Sequence, residues 1–159
     1  MKKVIVSLSI VLLLISIIGC TTTVEEIEEL TGYIVIKDNV LHFRHVKIVK
    51  IDEKDIMNEF NLTEEDMPNG YAILRKNQAD ETYELADEVE YIFTDTNLNF
   101  IEESEAGGNR LYTTTKNDEF LTHLGDLNNI PLSEQRIPYF IKVQNGKVIS
   151  IEEKFEYTI

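Results

Sequence analysis

The stretch IPYFIKVQNGKVISIEEKFEYTI, residues 137–159, decides the fold class. From Ile149 onward the odd positions hold Ile149, Ile151, Glu153, Phe155, Tyr157 and Ile159, and the even positions hold Ser150, Glu152, Lys154, Glu156 and Thr158. A period of two marks a strand with one face buried. Upstream, Ile137, Tyr139, Ile141 and Val143 alternate the same way, and Asn145-Gly146 joins the two runs into a hairpin. A two-residue loop would set Ile141 against Ser150 and split the apolar faces. A three-residue loop, Gln144 to Gly146, sets Ile141 against Ile149 and Tyr139 against Ile151. The pattern therefore predicts the longer turn, with Gly146 at the left-handed position. Glu153 falls on the apolar side of the last strand, where a carboxylate at the sheet rim or one paired with a lysine is expected.

Working outward, Thr115 is placed to cap a helix over 116–124 with Phe120, Leu121 and Leu124 on one face, stopped by Gly125. Residues 111–114 precede it as a short strand, and 104–110, with Gly107-Gly108 and Arg110, form a loop. Strands are expected over 82–85 and 89–94, with 98–102 pairing back. Residues 33–37 and 40–51 read as two strands around Asp38-Asn39, a hairpin turn. In the second strand the apolar parity changes between Phe43 and Val46, which predicts a bulge near Arg44-His45. Asp52 is placed to cap a helix to about Phe60, Met67-Pro68-Asn69-Gly70 makes a turn, and 71–76 a strand. Thr23 and Glu26 resemble a capping box for a short helix that Gly32 would stop. The expected fold is α+β, mostly antiparallel β with two or three short helices. The closing β-α-β-β order suits a small OB-like open barrel.

The N-terminus has a different character. Met1-Lys2-Lys3 precedes fifteen uncharged residues, Val4 to Ile18, in which only Ser7, Ser9 and Ser16 are polar. This is the pattern of a secretory signal peptide. Fifteen residues make a helix of roughly 22 Å, short of the roughly 30 Å hydrocarbon core of a bilayer. The run ends Ile17-Ile18-Gly19-Cys20, with the single cysteine of the chain. This resembles the lipobox of bacterial lipoproteins, a resemblance confined to the first 20 residues. It implies diacylglyceryl transfer to the Cys20 thiol and cleavage between Gly19 and Cys20. Two acyl chains hold a protein stably at a membrane without spanning it. The expected organisation is a signal peptide over 1–19, the lipidated Cys20 with a short tether and helix to 32, and one globular domain over 33–159.

Losing Lys2 and Lys3 with that peptide leaves 13 Lys+Arg against 29 Asp+Glu, a balance of −16. Such acidity argues against nucleic acid and against the body lying flat on an anionic membrane. It is uneven. Ten acids and no Lys or Arg lie between Asp80 and Glu105, whereas Arg44, Lys47, Lys50, His42 and His45 lie between Val40 and Ile51 without an acid. The two patches are expected to face each other within the fold or, alternatively, to steer a charged partner.

Motifs for catalysis are absent. There is no second thiol, no G-x-S-x-G elbow and no phosphate-binding glycine loop. His42, His45 and His123 lack metal-ligand spacing. Asp95, Asn97 and Asn99 place oxygens at alternate positions as a calcium loop begins, but Phe100 stands where that loop needs glycine. They remain weak metal candidates, and no cofactor is expected. Tyr33, Phe43, Tyr71, Tyr91 and Tyr139 could offer binding surface, although core positions suit them better. The expectation is a lipid-anchored, extracytoplasmic binding module without catalytic activity, its partner an envelope or membrane protein. The alternatives are an envelope-acting hydrolase or transferase using carboxylates, and a calcium-responsive module.

Overall fold

The computed structural model describes residues 26–157. Cys20, the tether and the apolar run at 4–18 lie outside them. Among the described residues, seven strands and two α-helices make an α+β fold: β1 (Ile27–Lys37), β2 (Val40–Lys50), α1 (Lys54–Glu59), β3 (Tyr71–Arg75), β4 (Glu81–Thr94), β5 (Leu111–Thr114), α2 (Asn117–Leu124), β6 (Tyr139–Gln144) and β7 (Lys147–Glu153). Every pairing is antiparallel except β4 with β7. β1 pairs with β2 and β6, β6 with β7, β7 with β4, and the start of β4 with β2, so this run of pairings returns to its starting strand. β3 extends the second half of β2 and β5 pairs the end of β4.

The main core takes side chains from every strand of that circuit. Ile34, Ile36, Leu41, Phe43, Leu85, Val89, Tyr91, Phe93, Tyr139, Ile141, Val143, Val148 and Ile151 meet Phe120 and Leu124 of α2. A smaller cluster, Val49, Met57 and Met67, lies under β3 and α1. β2 serves both. Leu41 and Phe43 enter the main core while β2 pairs with β1 in unbroken register to Gly32↔His45. From Val46↔Arg75 it pairs with β3 instead. The parity change in the sequence therefore marks a change of partner rather than the expected bulge.

The short helix expected before Gly32 is replaced by the first half of β1. Ile27 to Gly32 pair with Gln144 to Tyr139 of β6, and this long-range pairing overrides a local capping signal. Gly32 is needed for space: a Cβ there would collide with the Arg44 carbonyl and the Phe43 ring. The C-terminal hairpin also departs from expectation. Asn145 (φ 52°) and Gly146 (φ 76°) form a two-residue turn that joins Gln144↔Lys147. A bulge between Lys142 and Val143 then sets Ile141 against Ile151 and Tyr139 against Glu153, not against the expected Ile149 and Ile151, and the apolar faces stay together. Asp38 (φ 50°) and Asn39 (φ 62°) make the expected β1–β2 turn.

β4 is one strand where two were expected. Its pairing with β7 jumps between Leu85 and Glu90, and the jump falls at the expected break. Residues 98–102 do not pair back as a strand. They fold into turns around the Asp95 carboxylate, which accepts N–H bonds from Asn99 (2.9 Å), Phe100 (2.7 Å) and Ile101 (3.0 Å). Both helices start one residue later than expected, at N-caps Glu53 and Lys116. Ahead of α2, the Thr114 hydroxyl, not Thr115, accepts the Lys116 N–H (3.1 Å).

Candidate ligand cavity

β1 runs on past the end of β6. Its pairing with β6 stops at Gly32↔Tyr139, which leaves the outward N–H and C=O groups of Ile34 and Ile36 without a strand. An open edge of this kind invites pairing with another chain. Here two side-chain amides from the segment after α2 close it. Ile34 N–H donates to Gln135 Oε1 (3.2 Å) and Gln135 Nε2 donates to the Ile34 carbonyl (2.7 Å). Two residues along, Ile36 N–H donates to Asn128 Oδ1 (2.8 Å) and Asn128 Nδ2 donates to the Ile36 carbonyl (2.8 Å). Each amide does what a peptide group of a neighbouring strand would do. Gln135 Nε2 also reaches the Ile130 carbonyl (3.1 Å) and so ties its own segment together.

The segment that supplies these amides also lines a cavity of about 470 Å³ together with the sheet. Its lining takes Ile34 and Tyr139 from the sheet, and Leu124, Leu127, Ile130 and Ile137 from α2 and the segment after it. Tyr71 and Tyr157 also line it, their rings edge-to-face at 4.9 Å. Glu134 and Arg136 stand exposed at the mouth. This volume and apolar lining fall within the range of small-molecule sites.

Tyr139 links the cavity to a polar cluster inside the core. It stands opposite Glu153 across β6 and β7. Glu153 is buried and accepts from Thr94 N–H (3.1 Å), and its Oε2 lies 3.0 Å from His123 Nε2. His123 stacks on Phe93 with ring centroids 4.1 Å apart. Glu153 is therefore neither at the rim nor paired with a lysine. Its partner is a histidine from α2, thirty residues away in the chain. Two buried hydroxyls in this region, Thr94 Oγ1 and Tyr139 Oη, have no hydrogen-bond partner. Burial is the main force raising the Tyr139 phenol pKa, and the Glu153 charge adds to it.

The other expected residues are placed as follows. Tyr33, Phe43 and Tyr91 are core, while Tyr71 and Tyr139 line the cavity. The basic and acidic patches do meet. Arg44 makes a two-pronged bond to Asp80 (2.5 and 2.8 Å), and His45 Nε2 lies 3.1 Å from Glu81. Asp95 is buried whereas Asn97 and Asn99 are exposed. Burial alone would raise the Asp95 pKa, but the three backbone donors outweigh it and hold the carboxyl below its ordinary value. Among the described residues, no three His, Cys, Asp or Glu side chains gather as a metal set. No helix among them is long and apolar enough to cross a membrane. Gln135 and Asn128 escaped sequence reasoning because residues 125–138 carry no periodicity. The one signal there is a short, mostly polar stretch, Leu132 to Ile137, held between Pro131 and Pro138, and its composition does not single out Gln135. The chain matches no family model, no curated protein and no solved structure, so the reading of the cavity rests on its own geometry.

Proposed function

We propose that this chain is an extracytoplasmic lipoprotein anchored to the cell membrane through lipid on Cys20. Its folded domain is a non-catalytic binding module that takes an apolar ligand in the cavity beneath residues 125–137. The cavity carries the reading: about 470 Å³ of space bounded mainly by aliphatic side chains and tyrosine rings. Closing it by collapse would bury more apolar surface, so a fold that keeps it open leaves room for a guest. We read the circuit β1-β2-β4-β7-β6, with α2 between β4 and β6, as an OB-type barrel. That architecture by itself assigns no ligand.

Anchoring supports the reading from the other end of the chain. A tethered domain meets membrane-level partners at raised effective concentration, so modest affinity suffices. The carboxylate-hydrolase alternative needs two acids facing a cleft. The buried carboxylates among the described residues, Asp95 and Glu153, are committed to backbone N–H groups and to His123. The calcium alternative needs Asp95 oxygens that here accept three N–H bonds.

Two readouts in intact cells test the proposal together. Labelled palmitate should enter the wild-type chain and not Cys20→Ala. Cross-linking should capture an envelope component with the wild type and lose it when Leu127→Trp fills the cavity. Palmitate incorporation without Cys20 would overturn the anchor. Capture that survives the filled cavity would overturn the binding site.

A further inference from the structure

We infer that the cavity takes the alkyl chain of a single-chain amphiphile, and that its zwitterionic head, a phosphate and an ammonium, stays at the opening against Arg136 and Glu134. The inference rests on reading the cavity as a ligand site and adds the chemical class of its occupant. Glu134 and Arg136 are the charged residues of the lining, and both are exposed, which places them where the cavity meets solvent. Exposure alternates along this stretch: Gln135, between them, is buried and bonds Ile34. Among the described residues, neither charged side chain has an ion pair or a hydrogen bond, not even with the other. The opening thus carries one free cation and one free anion, two residues apart.

The inside sets the rest of the guest. Ile34, Leu124, Leu127, Ile130 and Ile137 offer aliphatic surface, and the Gln135 carboxamide is already bonded to Ile34 and Ile130. A charged head drawn in there would lose its water without a partner, so the head stays out and the chain goes in. A water molecule's share of liquid volume is about 30 Å³. The cavity's 470 Å³ is therefore roughly sixteen such volumes, room for one chain rather than for a lipid with two. An anionic head would gain Arg136 but meet Glu134, on a chain whose 29 acids outnumber 15 Lys and Arg and repel anions at large. A cationic head would meet the same conflict at Arg136. A head with both signs has a partner for each.

The test uses the full chain in phosphatidylglycerol nanodiscs, titrated with probes that share one dodecyl chain: dodecylphosphocholine, dodecyl maltoside, dodecyl phosphate and dodecyltrimethylammonium. Empty nanodiscs give the free concentration of each probe. Binding is followed through the methyl resonances of Leu124, Leu127 and Ile130. The phosphocholine should bind about threefold tighter than the maltoside, the scale of exposed ion pairs, and tighter than either singly charged probe. Arg136→Gln should move the preference to dodecyltrimethylammonium, and Glu134→Gln should move it to dodecyl phosphate. Both side chains are exposed, so both variants should fold. Equal binding of phosphocholine and maltoside to the wild type would overturn the head chemistry while the cavity reading stands. So would a wild-type preference for a singly charged probe, or a phosphocholine preference that survives both variants. No shift with any of the probes would overturn the cavity reading itself.

Discussion

The packed interior and the cavity are built of the same materials and share Ile34, Leu124 and Tyr139, yet one is filled and the other is open. The interior fills because each strand of the circuit sends a side chain inward and α2 lays Phe120 over them. Tyr91 stacks on Phe120 at 4.6 Å, and Phe93 lies against Phe100 and Tyr112 at 5.5 Å. The segment lining the cavity, its roof, is fixed to the β1 edge by side-chain hydrogen bonds rather than by packing of apolar side chains alone. Gln135 and Asn128 fix the roof at the distance set by two side-chain amides. Apolar residues close a space only when the backbone that carries them is free to approach.

Four substitutions would break or sharpen this contrast. The largest effect belongs to the filled region. Phe93→Ala should cost about 3–5 kcal/mol in denaturant unfolding, because its neighbours are fixed by strand pairing and the hole cannot collapse. Next is the roof. Gln135→Ala strands the Ile34 N–H and C=O and should cost about 2–4 kcal/mol. It should also raise hydrogen exchange at Ile34 while leaving exchange in β7 unchanged. A loss confined to less than half of that would mean that packing, not the amide, holds the roof.

Third is the Asp95 hub. Its folded pKa is depressed, so the stability it contributes is present above the ordinary carboxyl pKa of about 4. That contribution is lost as the pH falls toward the lower folded value. Asp95→Asn should therefore cost about 1–3 kcal/mol at neutral pH and flatten the acid limb of a stability–pH curve. An unchanged acid limb would show that the three N–H bonds do not depend on the charge. The smallest effect belongs to the open region. Leu127 is on the cavity wall and already 37 % exposed. Leu127→Ala should cost less than about 1 kcal/mol, since it removes few packed contacts. A loss of the size seen at Phe93 would mean that the cavity is part of the core.

Much of this was legible in the sequence, and the failures share one cause. Alternation placed β6, β7 and β1–β2 in the chain, and Asp38-Asn39 and Asn145-Gly146 marked the turns. Hidden were the features set by partners distant in sequence. Residues 27–32 look helical alone and become strand by pairing with β6. The parity change in β2 looks like a bulge and is a change of neighbour. The one-residue offset at Lys142–Val143 cannot be read from alternation, because a bulge and a longer turn restore the same apolar face. At the candidate site, Tyr139 was visible as an inward aromatic and Glu153 as a misplaced acid. The meeting of Glu153 with His123, and the amide roof, depend on where α2 and residues 125–137 dock, and no local pattern encodes that.

The most direct test is to purify the full chain from its own membranes and identify by mass spectrometry what small molecules come with it, beside the filled-cavity variant Leu127→Trp. An apolar compound is expected in stoichiometric amount with the wild type and absent from the variant. The same small molecules in both samples, or none in either, would contradict it.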